Sequence, residues 1–250
     1  MGEILVDQRG KVLVVTIANE RKRNALDVSM EKPFHDALVA AENDDGIRAV
    51  VITGAGDIAF CSGHDLSEVG RPGVKFMKPD PMGYPDLMRK PVIAAVNGHC
   101  HAAGLMMALC CDLRIASENA VFGQPGARLG QLPMGGQIWR LPQAMPRVRA
   151  LEMLLTARHM SGADAFEWGL VSKLVKKGEA LAVAMELAEA IADNSPNAVQ
   201  AIKAGLKLYE KDGRDAFNHY EAETMRGLMD SSDRIEGSKA FMEKRAPTFR

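Results

Sequence analysis

Residues 90–117 read KPVIAAVNGHCHAAGLMMALCCDLRIAS. Two apolar runs, PVIAAV and LRIAS, stop at small or turn residues. Runs this short and continuous suit strands covered on both faces, with helices between them. The middle of the stretch predicts a glycine-containing turn that feeds a buried helix. RAVVITG, at 48–54, repeats the strand pattern upstream. Alternating buried strands and helices predict a mixed α/β core.

The same reading extends outward. EILVDQ and KVLVVTI flank Arg9-Gly10 and predict an antiparallel hairpin. A basic turn, RKRNALDVSM, precedes a helix through FHDALVAAEN. Pro33 suits that helix only if it starts near Ser29, so that the ring falls in the first turn. RPGVKFMKPDPMGYP, at 71–85, holds Pro72, Pro79, Pro81 and Pro85 and predicts a loop or lid. From Leu181 onward, LAVAMELAEAIADNSP, PNAVQAIKAGLKLYEKDG and DAFNHYEAETMRGLM carry apolar residues every three or four positions, as helices do. The chain thus divides into a core over 1–180 and a helical region over 181–250.

Composition narrows the function classes. A net charge of −1 across 250 residues, with no basic patch or tail, argues against nucleic acid or an acidic membrane as partner. The longest apolar runs are far too short for membrane insertion. MGEILVDQRG alternates like a strand and has no signal-peptide core, so the expected location is cytoplasmic. Cys61, Cys100, Cys110 and Cys111 lack metal-site or C-x-x-C spacing, which predicts buried reduced thiols and no metal.

Two segments share one design, AVVITGAGDIAFCSGHDLSEV at 49–69 and PVIAAVNGHCHAAGLMMALCCD at 91–112. Each reads as a buried strand, a glycine turn and a helix start. Such turns leave backbone N–H groups without partners, and a helix N-terminus adds partial positive charge. Two of them aimed at one spot would form an oxyanion hole for a thioester enolate. The residues alone leave their convergence open.

The combination ANERKRNAL (18–26), AFCSGHDL (59–66), KPVIAAVNG (90–98), CDLRIAS (111–117), FGQP (122–125), LEMLLTARHMSGADAFEWGLVSKLV (151–175) and FMEKRAPTF (241–249) resembles the crotonase, or enoyl-CoA hydratase/isomerase, family. The match runs nearly the whole chain with that family's order and spacing. The resemblance implies a spiral of ββα units holding an acyl-CoA cleft. It also implies a helical C-terminal region that assembles trimers, usually paired into hexamers. Acyl-CoA is the implied ligand, with no separate cofactor, in the lyase or isomerase chemistry of fatty acid metabolism. The implied oxyanion donors are the backbone N–H groups of His64 and Ala103. The CoA arm would pass Lys22, Arg23 and Ala25, with adenine against Ser62, Asp65 and Leu66, and with Phe241 and Lys244 closing the site.

The chain departs from the family where hydration is done. The two glutamates that activate water in family hydratases correspond here to Met106 and Gly126. No Asp or Glu occurs from Leu87 to Cys111 or from Asn119 to Leu151, so no nearby carboxylate in sequence replaces them. Those stretches offer His99, His101, Gln124, Arg128, Gln131, Gln137 and Arg140 instead. His101, two residues before Ala103, is the acid–base candidate, since imidazole exchanges protons near neutral pH. Enolate stabilisation survives these substitutions, because it needs backbone amides. Efficient hydration does not, because it needs an acid and a base. An enolate reaction such as decarboxylation or isomerisation, and a non-catalytic acyl-CoA binder or regulator, both remain open.

Overall fold

The computed structural model describes residues 2–68 and 71–249. Strands β1 (Glu3–Arg9) and β2 (Val12–Ala18) form the expected hairpin about Gly10. β3 (Ala49–Gly54), β5 (Val92–Val96), β7 (Leu113–Ser117) and β10 (Lys173–Val175) join it in a six-stranded sheet of order β1-β2-β3-β5-β7-β10. Every pairing in it beyond the hairpin is parallel. Four short strands, β4 (Ala59–Cys61), β6 (His99–His101), β8 (Val121–Gly123) and β9 (Met160–Ser161), make a second sheet. Each of the pairs β3/β4, β5/β6 and β7/β8 sends its first strand to the large sheet and its second to the small one. This is the spiral the resemblance implies.

The period of two along the strands sorts their side chains between two cores. Val50, Ile52, Val92, Ala94 and Val96 face helix α1 (Val28–Asn43) and α2 (Ala103–Cys110). Ala49, Val51, Ile93 and Ala95 face α6 (Ala180–Ala192) through Ala184, Met185 and Ala188. With both faces covered, β3 and β5 are buried at every position, which is why they read as unbroken apolar runs. α6 therefore belongs to the packing of the core, although the sequence groups it with the C-terminal helices.

Several expectations change in detail. α1 starts at Val28, with the Asp27 side chain accepting the Ser29 N–H, so Pro33 falls in its second turn and one helical hydrogen bond is missing. Within the loop expected over 71–85, the later residues wind into a 3₁₀ helix at Pro81–Leu87 capped by Asp80. Helices α3 (Gln137–Ala144), α4 (Arg147–Thr156) and α5 (Gly162–Glu167) cover the far end. α7 (Pro196–Met229) breaks at Gly213, where φ is 82°, close to where the sequence divides into two helical stretches. α8 (Ser232–Glu243) packs on α7.

Candidate functional site

The small sheet brings the two glycine turns together. At the first, Leu26 N–H donates to Gly63 O, and Asp65 N–H donates to Leu26 O. Residues 63 and 65 thus take both bonds of this parallel bridge, which turns the His64 N–H to the opposite side. At the second, Ala102 lies at φ 51° and ψ −120°, reversing the chain from β6 into α2 so that Ala103 opens the helix. Neither the His64 N–H nor the Ala103 N–H finds an acceptor among the described residues. A helix was expected after His64, but the described residues form successive turns, with Glu68 N–H bonded to Asp65 O and Arg71 N–H to Glu68 O. Val69, the end of that expectation, lies outside the described residues. The two turns differ in kind: a strand bridge aims one amide, a helix start the other.

Their convergence shows in the space left by two glycines. A Cβ on Gly63, whose φ is 101°, would lie 3.2 Å from the Ala103 nitrogen. A Cβ on Gly104 would lie 2.1 Å from the Cys61 carbonyl oxygen, so only glycine lets α2 start this close to β4. An unpaired amide at a helix start, with the residue before a second unpaired amide packed against it, suits a developing oxyanion.

The residues expected along the CoA arm also gather in one corner. Lys22 forms an ion pair with Asp65, which raises the lysine's pKa and lowers the aspartate's. Ser62 N–H donates to Arg23 O, and the Ser62 hydroxyl donates to Lys22 O. Arg23 and Asn24 both hold positive φ, and buried Asn24 bridges to the carbonyls of Ala55 and Ala59. Ala25 is buried beneath this turn, and Leu66 is 73% exposed beside it. Phe241 and Lys244 stand elsewhere. Phe241 lines a groove with Ser195 and Met229, and no hydrogen bond or ion pair joins α8 to the Lys22–Asp65 corner among the described residues.

Met106 is buried on α2 and lines a cavity of about 360 Å³ with Asp80, Tyr84, Gly135 and Trp139. Its thioether lies against Gly135, where a Cβ would overlap the sulfur. Gly126 is tightly enclosed. A Cβ there would lie 2.8 Å from Gln131 O, beside a buried hydrogen bond of 2.6 Å between Gln124 and Gln137. The two positions where the resemblance implies carboxylates, 106 and 126, thus hold a packed thioether and a glycine beside packed amides.

His101 takes part in a different arrangement. Its ring stacks on His159 at 4.8 Å and tilts against His99 at 5.2 Å. Burial, then His159, His99 and Arg23, push its pKa down to about 4, so it is neutral near physiological pH. It is not among the residues lining the Met106 cavity. The acids that approach the His64 ring are Glu31 and Asp80, both outside the two turns in sequence and hence beyond any local search for them. Glu31 is fully buried on α1, and its Oε2 accepts the Met77 N–H at 2.6 Å. Desolvation raises its pKa, against that hydrogen bond and the nearby His64. His64 Nε2 lies 2.9 Å from Asp80 Oδ2, while Nδ1 faces Glu31 Oε1 at 3.5 Å. Burial opposes a charged His64, but Asp80 and Glu31 outweigh it and raise its pKa.

No helix among the described residues is long and apolar enough to cross a membrane. All four cysteines are buried and free, and burial pushes the Cys61 thiol up to about 12.

Comparison with known proteins agrees with this geometry. The profile of the enoyl-CoA hydratase/isomerase family matches residues 7–250. An enoyl-CoA hydratase of Mycobacterium tuberculosis is 38% identical over 99% of this chain and 96% of its own. A carnitinyl-CoA dehydratase of Proteus mirabilis is 35% identical over 97% and 96%. The crystal structure of an enoyl-CoA hydratase from Polaromonas sp. JS666 superposes over the whole of both chains with a TM-score of 0.92 at 33% identity. The chain belongs to the enoyl-CoA hydratase/isomerase, or crotonase, family.

Proposed function

We propose that the protein binds an acyl-CoA thioester and polarises its carbonyl between the His64 and Ala103 N–H groups, stabilising an enolate. The observation that carries this reading is the approach of Gly63 to within 3.2 Å (as a built Cβ) of an unpaired Ala103 nitrogen. The corner of Lys22, Arg23, Ala25, Ser62, Asp65 and Leu66 would take the CoA arm. Phe241 and Lys244 would reach it only through a neighbouring subunit in a trimer or hexamer, since α8 makes no polar contact with it here. A cytoplasmic location fits such a substrate.

Hydration is expected to be weak. Removing one acid–base group costs about 10²–10⁴-fold in rate, and both glutamate positions are occupied by other residues. Calorimetry should show butyryl-CoA binding far more tightly than butyrate, and crotonyl-CoA should be hydrated slowly or not at all. Equal affinities would overturn the ligand. Hydration at an ordinary enzymatic rate, about 1–10³ per second, would overturn the proposed loss of the acid–base pair.

A further inference from the structure

The cavity beside Met106 holds one carboxylate, and that carboxylate is backed by two more titratable groups. Asp80 caps the Pro81–Leu87 3₁₀ helix through Oδ1, which accepts the Met82 N–H at 3.0 Å. Its Oδ2 is held by His64 Nε2 at 2.9 Å. Behind His64, Nδ1 and Glu31 Oε1 face each other at 3.5 Å, and neither has a hydrogen-bond partner among the described residues. Glu31 is fully buried, and its other oxygen accepts the Met77 N–H. The edge of Phe76 closes over the His64 ring at 4.8 Å. Two buried polar atoms left unpaired but facing each other are costly unless a charge or proton passes between them.

The order of these groups matters. Glu31 is innermost, His64 lies between, and Asp80 alone reaches the cavity lined by Met106 and Gly135. The backbone N–H of that same His64 is an oxyanion donor of the proposed function. The carboxylate is therefore linked through the His64 side chain to the residue whose backbone N–H would hold the thioester oxygen.

Building on the acyl-CoA reading, we infer that Asp80 is the catalytic base that moves a proton at the acyl α-carbon, with His64 and Glu31 positioning it. The α C–H bond breaks and its proton goes to Asp80 Oδ2. The electron pair enters the enolate, whose oxygen is held by the His64 and Ala103 N–H groups. With a saturated acyl group, protonated Asp80 trades its proton with solvent and returns one to the α-carbon, giving exchange. With a β,γ-unsaturated acyl group, it returns the proton to the γ-carbon of the dienolate, moving the double bond to the α,β position. One carboxylate suffices for this sequence, whereas adding water calls for a second group to handle its protons. The substrate class is accordingly an acyl-CoA with an acidic α-hydrogen, and the reaction class is proton transfer or isomerisation. The charged groups facing His64 are Glu31 from α1 and Asp80 from the preceding loop, with Glu68 acting on Glu31 from the turn after His64.

The test uses the full-length protein and butyryl-CoA in D₂O, following α-proton exchange by mass spectrometry, with affinity measured in parallel by calorimetry. The wild type is expected to exchange. Asp80→Asn should bind butyryl-CoA normally yet exchange at least about 10²-fold more slowly, and Asp80→Glu should recover part of the rate. Glu31→Gln should move the limb of the pH–rate profile that reports His64 to lower pH, which a purely structural role would leave in place. Exchange by Asp80→Asn within about threefold of wild type overturns the assignment, as does a rate loss that merely follows lost binding. Wild type that binds butyryl-CoA without exchanging it overturns this inference alone. Failure to bind at all overturns the proposed function and this inference together.

Discussion

Ala102 adopts φ 51° and ψ −120°, a conformation in which a Cβ is a burden and glycine is at ease. Strain of this kind costs about 1–3 kcal/mol and is held in place by its surroundings. Here these are the bond from Ala102 N–H to Gly123 O and the start of α2. Ala102→Gly should therefore raise the thermal midpoint, and Ala102→Val should lower it by the equivalent of about 2 kcal/mol, both measurable by calorimetry. A second expectation concerns the two positions where the resemblance implies glutamates. Met106→Glu combined with Gly126→Glu should raise crotonyl-CoA hydration above wild type, because the amides proposed as oxyanion donors, those of His64 and Ala103, are both unpaired. The gain should come with lower stability, since the new Cβ at 126 meets Gln131 O at 2.8 Å. A chemical denaturation midpoint that stays unchanged would show that the 126 loop yields more easily than its packing implies.

Elements bring together histidines that the sequence leaves scattered. β6 carries His99 and His101, and His159 precedes β9, so the small sheet assembles one imidazole cluster. An unfolded histidine titrates near 6.5, while His101 in the folded chain titrates near 4. Between these values the unfolded state binds more protons, so stability falls as pH drops through that window. The loss should be on the order of 1–2 kcal/mol, after allowing for partial exposure. His101→Leu should flatten the pH dependence of urea unfolding between pH 6.5 and 4, and an identical slope in both proteins would rule out the cluster as its source. His64 has the opposite sign, because its folded pKa is raised. Its contribution is present at low pH and fades as pH rises through its folded value.

Across the whole molecule, α7 presents an apolar groove that the core does not cover. Ile202, Leu206 and Met225 are 73%, 58% and 53% exposed on its two halves, which fold toward each other across the Gly213 break. Exposed apolar surface of this extent usually meets another protein surface. With the trimer or hexamer proposed above, closed symmetry would bury it against copies of this chain. Light scattering should report such an assembly, and Leu206→Glu with Met225→Glu should dissociate it. A wild-type monomer at micromolar concentration would refute the assembly.

Local pattern determined a large share of this protein. The Arg9-Gly10 hairpin, the buried runs of β3, β5 and β7, the C-terminal helices and the break near Gly213 all follow from periodicity, apolar runs and turn residues. The two glycine turns marked themselves in sequence, while the roles expected of His64, Ala103, Met106 and Gly126 came only from the family resemblance. The small sheet did not show itself, since strands of two or three residues are too short to carry a period. For the same reason the first turn was expected to open a helix, whereas its amide is aimed by a bridge to Leu26. The grouping of Glu31, His64 and Asp80 was decided by tertiary structure alone. It joins a helix, a turn and a proline-rich loop, and no spacing in the chain records that α1 buries a carboxylate behind a histidine from another element. Contacts of this kind arise when separate elements share one core, and only the packed fold places them.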